Sequence, residues 1–374
     1  MSLERRYVRP PRLNPGFWPT GDWPLACLYP ILSVVISYHR ECSMASSRWV
    51  SGQARKLFRG IIVVAALLGL STPAAAQWSV GDVFASVGNG RVNVYDGTTH
   101  TLQNTLNTGV GGFTTGGAFD ATGIFYVTNF STNQVFKFDQ TGALVGSFST
   151  GATNPESIAF NLAGTMYVGH AGDGIRQLTT AGTPLASFSV ATEDRGADWI
   201  DLAADQHTVF YTSEGGKIFR YDVATSTQLA NFADIGGQSY ALRLLGAGTG
   251  SEGLLVANTG NVKRLDAAGN VTQTYDVPGE DSWFALNLDP NGTSFWSGDF
   301  GTGNLYKFDI ATGALLATIG TGSSSLFGVT VFGEITAGTG GTSTVPEPGS
   351  LALLGTGLMG LAGFAKRWRY GKQG

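Results

Sequence analysis

The stretch that decides the fold is residues 283–319, WFALNLDPNGTSFWSGDFGTGNLYKFDIATGALLATI. Four apolar runs lie within it, at 283–288, 293–297, 304–308 and 314–319. They are separated by DPNG at 289–292, by a glycine-rich loop and by DIATG at 309–313. Glycine, proline, asparagine and aspartate favour tight turns between antiparallel strands, so this stretch predicts four strands connected by hairpins.

The same four-strand unit recurs along the chain. Its third strand ends in an aromatic or aliphatic residue followed by aspartate. The copies are Tyr95-Asp96, Phe138-Asp139, Tyr221-Asp222, Leu265-Asp266 and Phe308-Asp309, with Leu178-Thr179 as a degenerate copy. Successive intervals are 43, 40, 43, 44 and 43 residues. A four-strand unit with this period is typical of a propeller blade, so six copies predict an all-β, six-bladed propeller over residues 80–333.

The first copy of the unit lacks its own first strand. Residues 83–87 match the second strand of the later copies. Residues 325–332, SLFGVTVF, match the opening strand at 283–288, but no further strands of a blade follow them. We therefore expect this C-terminal strand to complete the N-terminal blade, because an open ring would expose apolar faces and unpaired strand edges.

The residues before the propeller are arranged as in a secretory signal peptide. Residues 1–43 show no periodic pattern and are expected to be a spurious or disordered leader. After Met44, four basic residues precede the apolar run 60–70, which the small residues Ala74 and Ala76 follow. This order predicts a signal peptide at 44–76 that is cleaved after Ala76. The alternative, a retained membrane helix, would need about 20 apolar residues.

The predicted propeller is acidic. Residues 77–345 contain 10 Lys/Arg and 23 Asp/Glu, which leaves a net formal charge of −13, whereas the whole chain carries −4. Such a charge argues against nucleic acid as a partner and is compatible with the binding of cations. The sequence has no Ser-His-Asp order, no CxxC and no pair of histidines at ligand spacing. A standard hydrolytic or zinc site therefore has no support.

Polar residues at the ends of second strands and between blades form a candidate site. In a four-strand meander the end of each second strand lies beside the start of its first strand. The candidate ligand or cation residues on this face are Glu156, His170, Asp198, Glu214, Asp281 and Asp299. Two interpretations remain open: residues that the loops require, or a binding mouth. The sequence predicts no cofactor. The alternative is that these residues bind a divalent cation such as calcium.

Two pieces of the repeat carry a resemblance to a known superfamily, PESIAF at 155–160 and GTMYV at 164–168. They resemble the six-bladed propellers of the NHL and gluconolactonase-like superfamily. In the gluconolactonase-like enzymes, acidic and amide residues at the channel mouth hold a divalent metal. The resemblance thus implies, as an alternative, a metal-dependent lactonase- or lyase-like enzyme acting at the channel mouth. Fold likeness alone does not transfer an activity, so we expect a non-catalytic binding or structural protein first.

The C-terminal end follows a flexible, glycine- and threonine-rich linker at 334–344. Residues Pro346, Glu347 and Pro348 precede the apolar run 351–365 and a basic cluster at 366–372. Residues 345–374 resemble the PEP-CTERM sorting signal of Gram-negative bacteria. The resemblance implies that a membrane enzyme, exosortase, recognises Pro346, Glu347 and Pro348, and it links the chain to exopolysaccharide and biofilm-matrix export. Counted from 349 to 365, the apolar segment has 17 residues, which is at the lower limit for a single transmembrane helix, and the basic residues hold its end in the cytoplasm.

These features predict an exported protein that ends at the cell surface or in the extracellular matrix. Before sorting, the C-terminal helix would anchor it in the inner membrane. The expected partners are exosortase and an exopolysaccharide or other surface proteins.

Overall fold

Twenty-five strands in six antiparallel sheets make up the part of the chain that the structure, a computed structural model, describes: residues 78–246 and 252–336. Each sheet is one blade. The first strand of every blade contacts the first strands of the two neighbouring blades, so these six strands surround a central axis. The predicted all-β, six-bladed propeller is confirmed.

The blades follow one another along the chain, except that the last strand returns to the first blade. Blade 1 consists of β1 (Val83–Gly88), β2 (Arg91–Tyr95), β3 (Leu102–Asn107) and, as its first strand, β25 (Gly328–Val331). Blade 2 consists of β4 (Thr114–Phe119), β5 (Phe125–Asn129), β6 (Gln134–Phe138) and β7 (Leu144–Ser149). Blade 3 consists of β8 (Pro155–Phe160), β9 (Met166–His170), β10 (Ile175–Leu178) and β11 (Pro184–Phe188).

The remaining three blades have the same strand order. Blade 4 consists of β12 (Ile200–Leu202), β13 (Thr208–Tyr211), β14 (Lys217–Asp222) and two short outer strands, β15 (Thr227–Gln228) and β16 (Ala233–Asp234). Blade 5 consists of β17 (Ser239–Leu244), β18 (Leu254–Asn258), β19 (Asn261–Leu265) and β20 (Val271–Tyr275). Blade 6 consists of β21 (Trp283–Leu288), β22 (Ser294–Asp299), β23 (Asn304–Asp309) and β24 (Leu315–Gly320).

The aspartates that mark the repeat form the turns between third and fourth strands. Asp309 Oδ1 accepts hydrogen bonds from the backbone N–H groups of Ala311 and Thr312 at 3.0 and 2.8 Å. In the degenerate copy, Thr179 Oγ1 accepts from the backbone N–H of Thr183 at 3.0 Å. A short side chain that accepts from the backbone closes the turn in both cases, so blade 3 keeps its shape without the aspartate.

The ring closes through β25, as the sequence predicts. It pairs antiparallel with β1 in a register that places Val83 opposite Val331 and Ala85 opposite Val329. These residues pack in one buried apolar cluster with Trp296 of blade 6. Closure therefore joins the two ends of the propeller both by backbone pairing and by apolar packing.

The chain leaves the described propeller at the end of the channel that we call the base. Here Arg243 Nε donates to Glu334 Oε1 at 2.9 Å, and the same oxygen accepts from the backbone N–H of Leu288 at 2.8 Å. Both side chains are more than nine-tenths buried. Glu334, which the sequence assigns to the linker, is thus held inside the base.

Several predicted segments lie outside the described residues. These are the leader 1–43, the signal peptide 44–76, most of the linker 334–344 and the sorting segment 345–374 with its transmembrane helix. Within residues 78–246 and 252–336, there is no helix with the length and apolarity that crossing a bilayer requires.

The closing strand provides the first test. Deleting residues 325–332 removes the fully buried side chains of Leu326, Val329 and Val331, whose burial contributes about 6 kcal/mol. That is comparable to the whole free energy of unfolding of an ordinary domain. We expect the deletion to abolish cooperative thermal unfolding, measured by circular dichroism.

A chain that ends after Thr336 is the matched control, because it keeps β25 and the Arg243–Glu334 ion pair. It should melt within a few degrees of the full chain. A cooperative transition near the original temperature in the deletion variant would show that the ring closes elsewhere.

Candidate ligand-binding mouth

A cavity of about 380 Å³ opens at the end of the channel where the first strands begin. We call it the mouth. Its aromatic lining residues are Phe113, Phe130, Tyr240, Phe284, Phe300 and Phe327. Its charged lining residues are Glu156, Arg195, Glu214 and Asp281. A cavity with apolar walls and a few converging polar groups is the usual form of a small-molecule site.

Corresponding positions of five blades line the mouth. Each lies at or just before the start of a first strand: Phe327, Thr115, Glu156, Tyr240 and Phe284. In β4, β8, β17 and β21 the pairing register shifts at this position. Such a bulge turns a side chain away from the regular alternation of the strand. The repeat therefore delivers one side chain from each of these five blades to the mouth, and the sequence decides its chemistry.

Blades 3 and 4 place three carboxylates together beside the mouth. One carboxylate oxygen from each of Glu156, Asp198 and Glu214 lies within 4.8 Å of the others. Glu156 and Asp198 are 3% and 0% exposed. Neither Glu156 Oε2 nor Asp198 Oδ2 has a hydrogen-bond partner among the residues that the structure describes. A buried acceptor without a donor is costly, and such groups cluster where a protein binds something.

Glu214 is held differently from the other two carboxylates. It follows the end of β13 with a backbone φ of 49°, in the left-handed region that non-glycine residues rarely adopt. Its Oε2 lies 3.3 Å from Arg195 Nε, and the Arg195 guanidinium lies 5.9 Å from the ring centre of Phe130. Glu214 therefore has a cationic partner, and Glu156 and Asp198 remain with free acceptors.

Burial controls the ionisation of the cluster. It raises the pKa of Glu156 to about 8, with repulsion from Glu214 adding to the rise and the Arg195 charge opposing it. Burial, followed by repulsion from Glu156 and Glu214, raises the pKa of Asp198 well above its ordinary value. At neutral pH the cluster therefore holds protons that a bound cation would displace.

The sequence-predicted site residues are only partly brought together. Glu156, Glu214 and Asp281 line the mouth, and Asp198 belongs to the carboxylate cluster. His170 is fully buried and does not line the cavity, and burial lowers its pKa to about 4. It is therefore neutral at physiological pH.

Asp299 has a loop role. It accepts hydrogen bonds from the backbone N–H groups of Ser282, Gly301 and Thr302 at 2.7, 2.7 and 2.9 Å. Asn258, at the corresponding second-strand end of blade 5, donates to the carbonyl of Gly236 at 3.0 Å. Ends of second strands thus tie loops together, as one of the two interpretations of the sequence expects.

Sequence reasoning missed Arg195 and the aromatic lining of the mouth. The sequence could have predicted three of the six rings, because Tyr240, Phe284 and Phe327 occupy the position of Glu156 in other repeats. Phe113, Phe130 and Phe300 come from loops, whose direction the repeat does not determine.

A cavity of about 250 Å³ lies at the base, and the closing strand runs between it and the mouth. Phe327, just before β25, lines the mouth, and Val331, at its end, lines the base cavity together with Gly333 and Glu334. The mouth therefore opens at the end of the propeller opposite to the exit of the chain.

The raised pKa of Glu156 predicts how stability depends on pH. Between about 4.5, the ordinary value, and about 8, the folded protein keeps a proton that the unfolded chain releases. This contribution to the free energy of unfolding therefore falls as pH rises through that window. Glu156→Gln should melt a few degrees above the parent at pH 8, and the difference should shrink at pH 5. The matched control is Glu252→Gln, at an exposed position. A difference that is equal at both pH values would contradict the raised pKa.

Comparison with known protein families identifies a sorting motif near the C-terminal end of the chain. The model of the PEP-CTERM protein-sorting motif matches residues 344–367, which include Pro346, Glu347 and Pro348. No curated protein matches the chain. The motif implies recognition by exosortase, export, and membrane-anchored sorting to the cell surface.

Solved structures share the fold at low identity. A chain in the crystal structure of a nidogen/laminin complex is 16% identical, with a TM-score of 0.54, and the match covers 68% of this chain and 99% of that one. The WD40 β-propeller domain of Doa1 is 16% identical, with a TM-score of 0.52 and coverage of 68% and 83%. These likenesses concern the fold alone. The chain therefore combines a six-bladed β-propeller with a C-terminal PEP-CTERM protein-sorting motif.

Proposed function

We propose that this protein is an exported, exosortase-sorted propeller that binds a ligand of the cell surface or of an exopolysaccharide matrix through its mouth, without catalysis. The observation that carries the proposal is the pair of buried, unpartnered carboxylate oxygens on Glu156 and Asp198, beside a cavity lined by aromatic rings. Unsatisfied acceptors and apolar walls both favour a bound partner over water.

The orientation of the mouth relative to the C-terminal end of the propeller supports a role in binding ligands outside the cell. The mouth opens opposite to the base, where Glu334 is fixed by Arg243 at 2.9 Å. The sorting motif begins only ten residues further along the chain, at 344. A domain attached through its base leaves the mouth accessible to ligands outside the cell.

Metal-dependent catalysis is the second candidate, and the carboxylate cluster favours it. Three carboxylate oxygens within 4.8 Å of one another could hold a divalent cation such as calcium at Glu156, Asp198 and Glu214. A cation there would act as a Lewis acid on a lactone or uronate carbonyl. Calcium takes six to eight oxygen ligands, so this site would need further donors besides the three residues.

The test compares binding with turnover on the full-length protein, purified in detergent. A glycan array and an extract of the producing cells' exopolysaccharide provide the ligands, and a set of lactones with calcium or zinc provides substrates. We expect saturable glycan binding that Glu156→Gln and Phe327→Leu weaken by about tenfold and threefold. Glu252→Gln should bind like the parent, since it lies on the surface.

The opposite pattern would favour the second candidate. Turnover of a lactone that chelation abolishes and calcium restores would contradict a non-catalytic function. Glycan binding that is unchanged in both mouth variants would contradict the mouth as the binding site.

A further inference from the structure

We propose that the mouth binds a primary ammonium group carried on an apolar stem. This inference rests on the proposed function, because it names the ligand chemistry of the same cavity. Its starting point is the unpartnered pair, Glu156 Oε2 and Asp198 Oδ2, which are buried acceptors that need N–H or O–H donors. An ammonium group has three donors and no acceptor, so it satisfies both oxygens without leaving a new unpaired group.

The charge of the mouth favours a cation. Glu214 and Arg195 form an ion pair at 3.3 Å, and within residues 78–246 and 252–336 Glu156, Asp198 and Asp281 form no ion pair of their own. Glu156 and Asp198 share one carboxylate cluster, and Asp281 lies on the lining of the same cavity. A monocation bound at the Glu156–Asp198 pair would stabilise the ionised form of both groups and displace their protons, which an anion or a neutral polar ligand would not do.

The aromatic residues select the kind of cation. Phe113 and Phe327 stack with ring centres 4.4 Å apart, and Phe300 lies 5.3 Å from Phe327. Phe284 continues the series at 5.6 Å from Phe300, and Tyr240 lies 4.9 Å from Phe284. Five rings thus form a continuous wall beside the carboxylates. Ring faces attract organic cations and pack against methylene groups.

The same wall argues against a bare metal ion as the main ligand. Phenylalanine offers no oxygen, and calcium takes six to eight oxygen ligands. Asp198 Oδ1 already accepts from the backbone N–H of Trp199 at 3.0 Å, and Glu214 Oε2 lies beside Arg195. The free acceptors of the cluster are too few for calcium and suit an ammonium group.

Two of the rings, Phe113 and Phe300, are unusually exposed for aromatic side chains, and a binding surface explains this exposure. Phe113 and Phe300 are 46% and 40% exposed although they belong to this wall. Exposed aromatic residues grouped around a cavity are typical of ligand sites. The stem of the ligand would lie against these rings, with its ammonium group directed inward.

Isothermal titration of the full-length protein in detergent tests the inference with three probes. n-Butylammonium is the cation, n-butanol is its neutral analogue and calcium chloride is the metal. We expect n-butylammonium to bind at least about tenfold more tightly than n-butanol, because only the cation forms charge-assisted hydrogen bonds. Calcium should bind more weakly than n-butylammonium.

Variants locate the binding. Glu156→Gln and Asp198→Asn should each weaken n-butylammonium by about tenfold, and Phe300→Leu by about threefold. Glu252→Gln, at an exposed position, should leave it unchanged. Circular dichroism melts confirm that each variant is folded. Equal affinity for n-butanol, tighter binding of calcium, or unchanged binding in Glu156→Gln and Asp198→Asn would overturn the inference.

The ammonium group could belong to an amino sugar or to a lysine side chain, and two further pairs of ligands distinguish these sources. Glucosamine against N-acetylglucosamine tests an amino sugar, and Nα-acetyl-lysine methylamide against its Nε-acetylated form tests a lysine side chain. In each pair only the free amine should bind, and the tighter of the two amines identifies the source. Binding of exopolysaccharide without any binding of amines would overturn this inference and leave the proposed function standing. Binding of amines without binding of any surface or matrix polymer would do the reverse.

Discussion

The pairing of β25 with β1 is the constraint on which the rest of the structure depends. Four residues, Gly328–Val331, complete the first blade from the far end of the chain. Without them the apolar cluster around Trp296 would face water, and blade 1 would lose its first strand. The ring, and with it the convergence of six first strands on one axis, exists because this short strand closes it.

The convergence of the six first strands on one axis creates the candidate binding site at the mouth. Each blade brings one residue to the start of its first strand, and the bulges there direct several of these side chains into the mouth. Glu156 occupies this position in blade 3, and aromatic rings occupy it in three other blades, at Tyr240, Phe284 and Phe327. Asp198, which precedes the first strand of blade 4, adds a second acid beside Glu156. Burying Glu156 Oε2 and Asp198 Oδ2 without donors destabilises the free protein, so the closed ring supplies the stability that holds these groups in place.

The repeat made the fold predictable from sequence. Asp96, Asp139, Asp222, Asp266 and Asp309 fixed the period, and Thr179 replaced the aspartate without changing the turn. The site was predictable only in part, because strand order places residues on a face but does not aim their side chains. Glu156 and Glu214 line the mouth, but Asp299 turns to backbone N–H groups and His170 is buried away from the cavity. The aromatic wall depends on loops and bulges, which the repeat pattern does not describe.

We infer that a cation binds the unpartnered carboxylate oxygens of Glu156 and Asp198 at the mouth. Titration of the Glu156 carboxyl carbon by NMR, with glutamate labelled at that carbon and Glu156→Gln for assignment, tests it most directly. The account predicts a pKa of about 8 in the free protein. It also predicts a fall when n-butylammonium saturates the mouth, because the cation stabilises the ionised form. A pKa near the ordinary value of 4.5 in the free protein, or one that does not respond to the cation, would contradict the account.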